Sequence, residues 1–192
     1  MNGSNSTGIP DAQSETVPSE RHRELLDAAY AYVLEHGLSG LSLRPLATAI
    51  GSSPRVLLFL FGSKDGLVRA LLARARTEEL AALKRVRAST SSIAAAEAVW
   101  AWLAAPEHRN LLKLWTDAYA RSLIEPDGPW GDFAAQTVHD WLAVFAGTHR
   151  GHDSAGDTLL LAVLRGALLD LLATGDVRRT SAAVRRYLAG RA

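Results

Sequence analysis

The sequence predicts an all-α protein of about nine helices, with a three-helix helix-turn-helix unit near the N-terminus followed by a larger helical body. Three observations predict it. Apolar residues recur at three- and four-residue spacing along nearly all of the 192 residues, without strand-like alternation. Serine, glycine and proline fall where such helices would start and stop. The stretch from Ser42 to Leu67, SLRPLATAIGSSPRVLLFLFGSKDGL, sets three helix starts in close succession.

In chain order, residues 1–18 are rich in Ser, Asn, Gly, Thr and Pro and carry no periodic apolar pattern, which reads as a disordered tail. Ser19 is placed to cap a first helix with Leu25, Leu26, Ala29, Tyr32 and Val33 along one face, ended by Gly37. Ser42 is placed to cap a second helix that Gly51 closes, because glycine takes the left-handed conformation after a helix without strain. Ser53 then caps a third, with Pro54 at its first position, where a missing N–H is tolerated. Two helices joined by so short a turn can lay the second in a DNA major groove. Ser63 starts a long fourth helix, whose outward Arg69, Arg74, Arg76, Lys84, Arg85 and Arg87 read as a solvated face, and residues 88–92 read as a linker.

The remainder reads as helices at about 93–104, 107–123, 130–148, 154–173 and 177–189. The loop Glu125-Pro126-Asp127-Gly128-Pro129 excludes regular structure. In the helix at 154–173, leucines cover almost the whole circumference, which predicts a helix buried on one side by its own subunit and on the other by a second copy. Leu160, Leu164, Leu168 and Leu171, with Val184, Tyr187 and Leu188 of the last helix, are the expected dimer contacts.

Composition narrows the function classes. With no cysteine, disulfides and thiolate chemistry are excluded. No uncharged run is long enough for a membrane helix and no secretory signal is present, so a cytoplasmic protein without membrane partners is expected. The net charge of +1 conceals a basic segment: residues 19–88 hold 11 Lys/Arg against 7 Asp/Glu, which fits a phosphate-facing surface. No nucleophile elbow, phosphate loop or metalloprotease motif occurs, and no enzyme activity, cofactor or metal is expected. His149, His152 and Asp153 read as exposed loop residues, not ligands.

The segment from Arg23 to Leu72 resembles the TetR family of bacterial transcriptional regulators. The resemblance rests on an amphipathic helix ended by glycine, then LSLRPLATAIGSSP, an apolar helix ending in Phe61, and GSKDGL. It implies a homodimeric repressor that binds a palindromic operator in double-stranded DNA and is released by a small molecule. The domains would be a DNA-binding unit at 19–66 and a ligand-binding and dimerisation domain at 67–192. Carried over by position, Arg44, Ser53, Pro54, Arg55, Val56, Leu58, Phe59 and Lys64 would be the DNA-binding residues. Arg55 is the expected base reader, because a guanidinium can bind guanine O6 and N7 together. Where the family usually places Tyr and His or Tyr in the reading helix, this chain has Leu58 and Leu60. The competing reading is therefore a small-molecule-binding or scaffolding protein of the same fold that has lost sequence-specific DNA binding.

Five tryptophans lie in the C-terminal half. Trp100, Trp115, Tyr119, Trp141 and Phe145 are expected to wall an apolar pocket, with His139 at its margin, for a hydrophobic ligand of unknown identity.

Overall fold

The computed structural model describes residues 19–86, 92–146 and 153–190, with the side chains of 84–86 and 92 left aside. The predicted tail at 1–18, most of the linker at 88–92, His149, His152 and the side chains of Lys84, Arg85 and Arg87 lie outside the described residues. Among the described residues nine α-helices and one 3-10 turn form the protein, without a strand. The helices are α1 (Glu20–His36), α2 (Leu43–Ala49), α3 (Pro54–Phe61), α4 (Lys64–Val86), α5 (Ser92–Ala104), α6 (Arg109–Ile124), α7 (Phe133–Ala146), α8 (Ser154–Thr174) and α9 (Val177–Ala189). The 3-10 turn, Pro106–His108, leads into α6.

The helix starts follow cap chemistry. The Ser19 side chain accepts from the His22 N–H, Ser53 from Val56 and Ser63 from Gly66, each satisfying a donor with no partner inside its helix. Ser42 differs: its backbone is extended before α2, but its side chain makes no cap bond. Gly51 has φ +63°, which lets the chain leave α2 and enter Ser53 and α3 within a few residues.

Two apolar clusters fill the interior. The first joins Ala29 and Val33 of α1, Leu46 and Ala47 of α2 and Leu57 of α3 to Leu67 and Leu71 of α4, and continues into Leu111, Leu114, Trp115 and Ala118 of α6. The head is thus built on α4 and α6 without an intervening linker. The second cluster packs α5 to α9 around Val99, Trp100, Trp141, Phe145, Leu164 and Val184.

Three readings are corrected by this packing. Leu160, Leu164, Leu168 and Leu171 of α8, and Val184 and Leu188 of α9, all lie in the second cluster at 3% exposure or less, because α5, α7 and α9 pack against α8. Tyr187 is half-buried beside them. The side of α8 left outward carries Leu159 and Leu169, 55% and 52% exposed, with Ala162, Gly166 and Ala173 exposed between and beyond them. The supposed solvated face of α4 is in part a set of interhelical ties. Arg74 Nε donates to Asp27 at 3.1 Å and its guanidinium lies 4.9 Å from the Tyr30 ring centre, while Arg76 holds Asp140 of α7 through two bonds of 2.8 and 3.1 Å and also donates to Gln136. Finally, α7 starts at Phe133; the preceding residues form turns around the buried Trp130, held where Ser122 Oγ donates to the Gly131 carbonyl and accepts from Ala134 N–H. No helix among the described residues is long and apolar enough to cross a membrane.

Candidate nucleic-acid interface and inner polar cluster

The head presents α3 outward. Only Leu57 of that helix is fully buried, at 1% exposure, and it anchors α3 on the first cluster. Phe61 turns inward and rests against the His22 ring, with centroids 4.6 Å apart. The opposite face carries Arg55, Val56, Leu58 and Phe59. At 85%, Phe59 is among the most exposed large apolar residues of the protein, with Leu58 at 42% and Val56 at 38%. Arg44 at the start of α2, Ser53 and Lys64 at the starts of α3 and α4, and Arg55 are all exposed, with Pro54 half-buried beside them. Among the described residues none of the three cations is in an ion pair. Seven of the eight expected contact positions are thus exposed and Pro54 is half-buried, and the N–H groups at the starts of α3 and α4 add partial positive charge there.

The residues expected to wall a ligand pocket separate into three places. Trp115 and Trp141 lie beside one buried acid, Glu79 of α4, with Tyr119 stacked on Trp115; sequence reading passes over Glu79 because its neighbours Glu78 and Leu80 sit in an ordinary charged-helix pattern. Trp141 Nε1–H donates to Glu79 at 2.5 Å. The Trp115 indole lies near enough to favour the charged carboxylate, yet its N–H is buried without reaching hydrogen-bond geometry. Arg165 of α8 completes the cluster. Its guanidinium is 4.9 Å from the Tyr119 ring centre and 5.6 Å from that of Trp115, Nη1 donates to the Tyr119 hydroxyl at 3.1 Å, and Nε and Nη2 are buried without an acceptor. Tyr119 stacks on Trp115 at 5.0 Å.

Burial dominates the electrostatics here. Desolvation lifts the Glu79 pKa to about 7, against the opposing effects of the Trp141 hydrogen bond and the Arg165 charge, while Asp140 raises it further. Desolvation also lowers the pKa of Arg165. A carboxyl that changes charge around neutral pH thus faces a cation whose donors are incompletely used among the described residues.

The other expected residues lie elsewhere. Trp100 donates to Ser181 Oγ at 3.0 Å and lines a groove of about 290 Å³ between α5 and α9. Phe145 is wholly buried and meets Trp141 edge-on. His139 is exposed on α7. A second groove of about 470 Å³, lined by Arg69, Ala73, Arg76, Trp130, Phe133 and Gln136, opens between α4 and the start of α7. Asp153 caps α8 by accepting from Gly156 N–H, and no group of three potential metal ligands occurs among the described residues.

Besides the bonds of Arg74 to Asp27 and of Tyr30 to Glu78, a further polar link joins head to body. Ser39, in the turn after α1, donates to Asp117 of α6 at 3.0 Å and accepts from Arg121 at 2.9 Å, and Arg121 also donates to Asp117. Asp117 lies between Trp115 and Tyr119 in sequence, so one helix carries both the inner cluster and the tie to the head.

An outward second helix in a helix-turn-helix, mounted on an all-helical body, defines a helix-turn-helix protein by its architecture. Residues 25–71 match the family described as bacterial regulatory proteins, tetR family. The head of the chain is thus similar to the TetR family of bacterial transcriptional regulators. It is 30% identical over 114 residues to the HTH-type transcriptional regulator BetI of Burkholderia thailandensis, a match covering 55% of this chain and 56% of that relative; the aligned region thus spans little more than half of the relative's length. Its fold is similar to that of a TetR-family member from Streptomyces coelicolor, at 26% identity and TM-score 0.69, covering 89% of this chain and 97% of that one. It is also similar to the multidrug binding protein EbrR complexed with malachite green, at 24% identity and TM-score 0.67 over 89% and 97% of the two chains.

Proposed function

We propose that the protein is a homodimeric transcriptional repressor that binds a palindromic operator through α3 and is released by a small, largely hydrophobic ligand held in its body. The observation that carries this reading is the exposure of Arg44, Ser53, Arg55 and Lys64 at the starts of α2, α3 and α4, the three cations having no ion pair among the described residues. In the proposed division of labour, residues 19–66 read DNA and residues 67–192 sense the ligand and dimerise. Trp115, Tyr119 and Trp141 form the apolar wall of the ligand site, and Glu79 and Arg165 are its polar groups. Binding of malachite green by EbrR, which shares the fold, supports a body suited to flat aromatic molecules. A ligand that parts Trp115 from Trp141 moves α6, and α6 carries the change to the head through Asp117, Arg121 and Ser39.

The outward stripe Leu159, Ala162, Gly166, Leu169 and Ala173 on α8 is the proposed contact with the second copy. Its small central residues allow two helices to approach closely, and its flanking leucines supply apolar area. Two reading helices would then reach successive major grooves, with half-sites about 34–36 Å apart or somewhat more.

Selection of binders from a random duplex pool tests the reading. Enrichment of a palindrome, with affinity that falls steeply as salt rises, is the expected result. Failure to enrich any motif would favour the alternative, a helical ligand-binding or scaffolding protein, which the apolar outward face of α3 makes specific.

A further inference from the structure

The apolar rim of α3 has a chemistry of its own. Four side chains point outward from the helix, and only Arg55 can donate a hydrogen bond. Val56, Leu58 and Phe59 offer hydrocarbon alone, and Phe59, at 85% exposure, gains almost nothing from the protein's own core. Leu57 and the inward Phe61 anchor the helix, while Val56 and Leu58 leave much of their surface, and Phe59 nearly all of its ring, to solvent.

Charge decides what could cover such a face. From Ser42 to Lys64 the sequence holds Arg44, Arg55 and Lys64 and no acidic residue. A second copy placed symmetrically on this face would set three positive charges against three, which disfavours self-association there. A polyanion that also presents hydrocarbon satisfies both features. In the DNA major groove, the thymine 5-methyl is the apolar group on the base edges.

We propose that α3 reads its half-site chiefly through thymine 5-methyl groups, with Phe59, Leu58 and Val56 as the methyl contacts and Arg55 as a single hydrogen-bonding reader directed at guanine. This rests on the DNA-binding reading above and deepens it. It assigns specificity to hydrocarbon contact where hydrogen-bonding side chains are missing, and it predicts half-sites in which a guanine is flanked by thymines. Arg44 and Lys64 hold phosphates and supply affinity independent of sequence.

Uracil and thymine present the same hydrogen-bonding edges and differ only in the methyl group, which makes the test direct. Duplexes are selected from a random pool made with thymidine, and each thymidine of the enriched half-site is then replaced singly by deoxyuridine. Burying one methyl is worth about a fourfold change in affinity, so each contacted position should lose roughly three- to tenfold. In Phe59→Ala the thymidine and deoxyuridine duplexes should bind alike at the position Phe59 contacts. Phe59 is exposed, so this variant keeps its fold, which its melting curve checks. Lys64→Ala should weaken both duplexes equally. Equal binding of the two duplexes at every position would overturn the inference while leaving DNA binding intact. A pool that yields no enriched duplex would overturn the inference and the DNA-binding reading together.

Discussion

Trp141 donates its indole N–H to Glu79 across the contact between α7 and α4, at 2.5 Å, in a place where both residues are 4% exposed. That bond joins the two apolar clusters, because Trp115 on the other side of the carboxyl belongs to the first and Trp141 to the second. A titratable group at this junction makes the body's packing sensitive to protonation.

The raised pKa of Glu79 fixes the sign of that sensitivity. The folded state holds the proton up to a pKa of about 7, against 4.5 for the free group, so folding is favoured below pH 4.5 and this contribution is lost as pH rises through 7. Glu79→Gln keeps an oxygen to accept from Trp141 and removes the charge. The stability of the wild type relative to Glu79→Gln should fall between pH 4.5 and 8 by an amount on the order of 3 kcal/mol. Urea unfolding of both proteins at several pH values measures it, and a difference independent of pH would refute it.

Arg76 and Asp140 should form one of the stronger surface-proximal ties. Their side chains are 30% and 15% exposed and share two hydrogen bonds, which hold α4 to α7 next to Glu79. Asp140→Ala leaves a half-buried guanidinium with only Gln136, and a loss of about 1–3 kcal/mol is expected in chemical denaturation. Asp140→Asn should also lower the midpoint of the Glu79 titration, since the Asp140 charge helps to raise it.

Within α3, neighbouring positions should behave oppositely. Leu57→Ala opens a cavity beneath the helix and should cost about 2–5 kcal/mol of stability. Phe59→Ala should shift stability by less than about 0.5 kcal/mol, because its ring already faces solvent. A thermal melt of each variant separates the anchoring residue from the outward one.

The outward face of α8 yields a test of assembly. Leu169→Glu places a charge in the proposed contact and should give a monomer in sedimentation with unchanged helix content. Substitution of the buried Leu168 by Glu should instead unfold the body, as it lies in the core at 3% exposure.

Local chemistry made the helices legible before any packing was known. Ser19, Ser53 and Ser63 cap as expected because a cap bond spans three residues and needs no tertiary partner. The start of α7 has a tertiary cause: Trp130 is helix-compatible, but Ser122 pins the Gly131 carbonyl and Trp130 is drawn into the core, so regular structure waits until Phe133.

By itself, the sequence determined the order and punctuation of the helices, the basic and apolar character of the reading helix, and the absence of thiol chemistry. These depend on contacts between residues a few positions apart or on composition alone. Only the tertiary structure decided which leucines of α8 are core and which face outward, since a helix apolar all round has no intrinsic direction until α5, α7 and α9 cover one side. Tertiary structure likewise brought Glu79, Trp115, Trp141 and Arg165 together from four different helices. No spacing along the chain encodes that meeting, and burial, not local sequence, gives Glu79 its raised pKa.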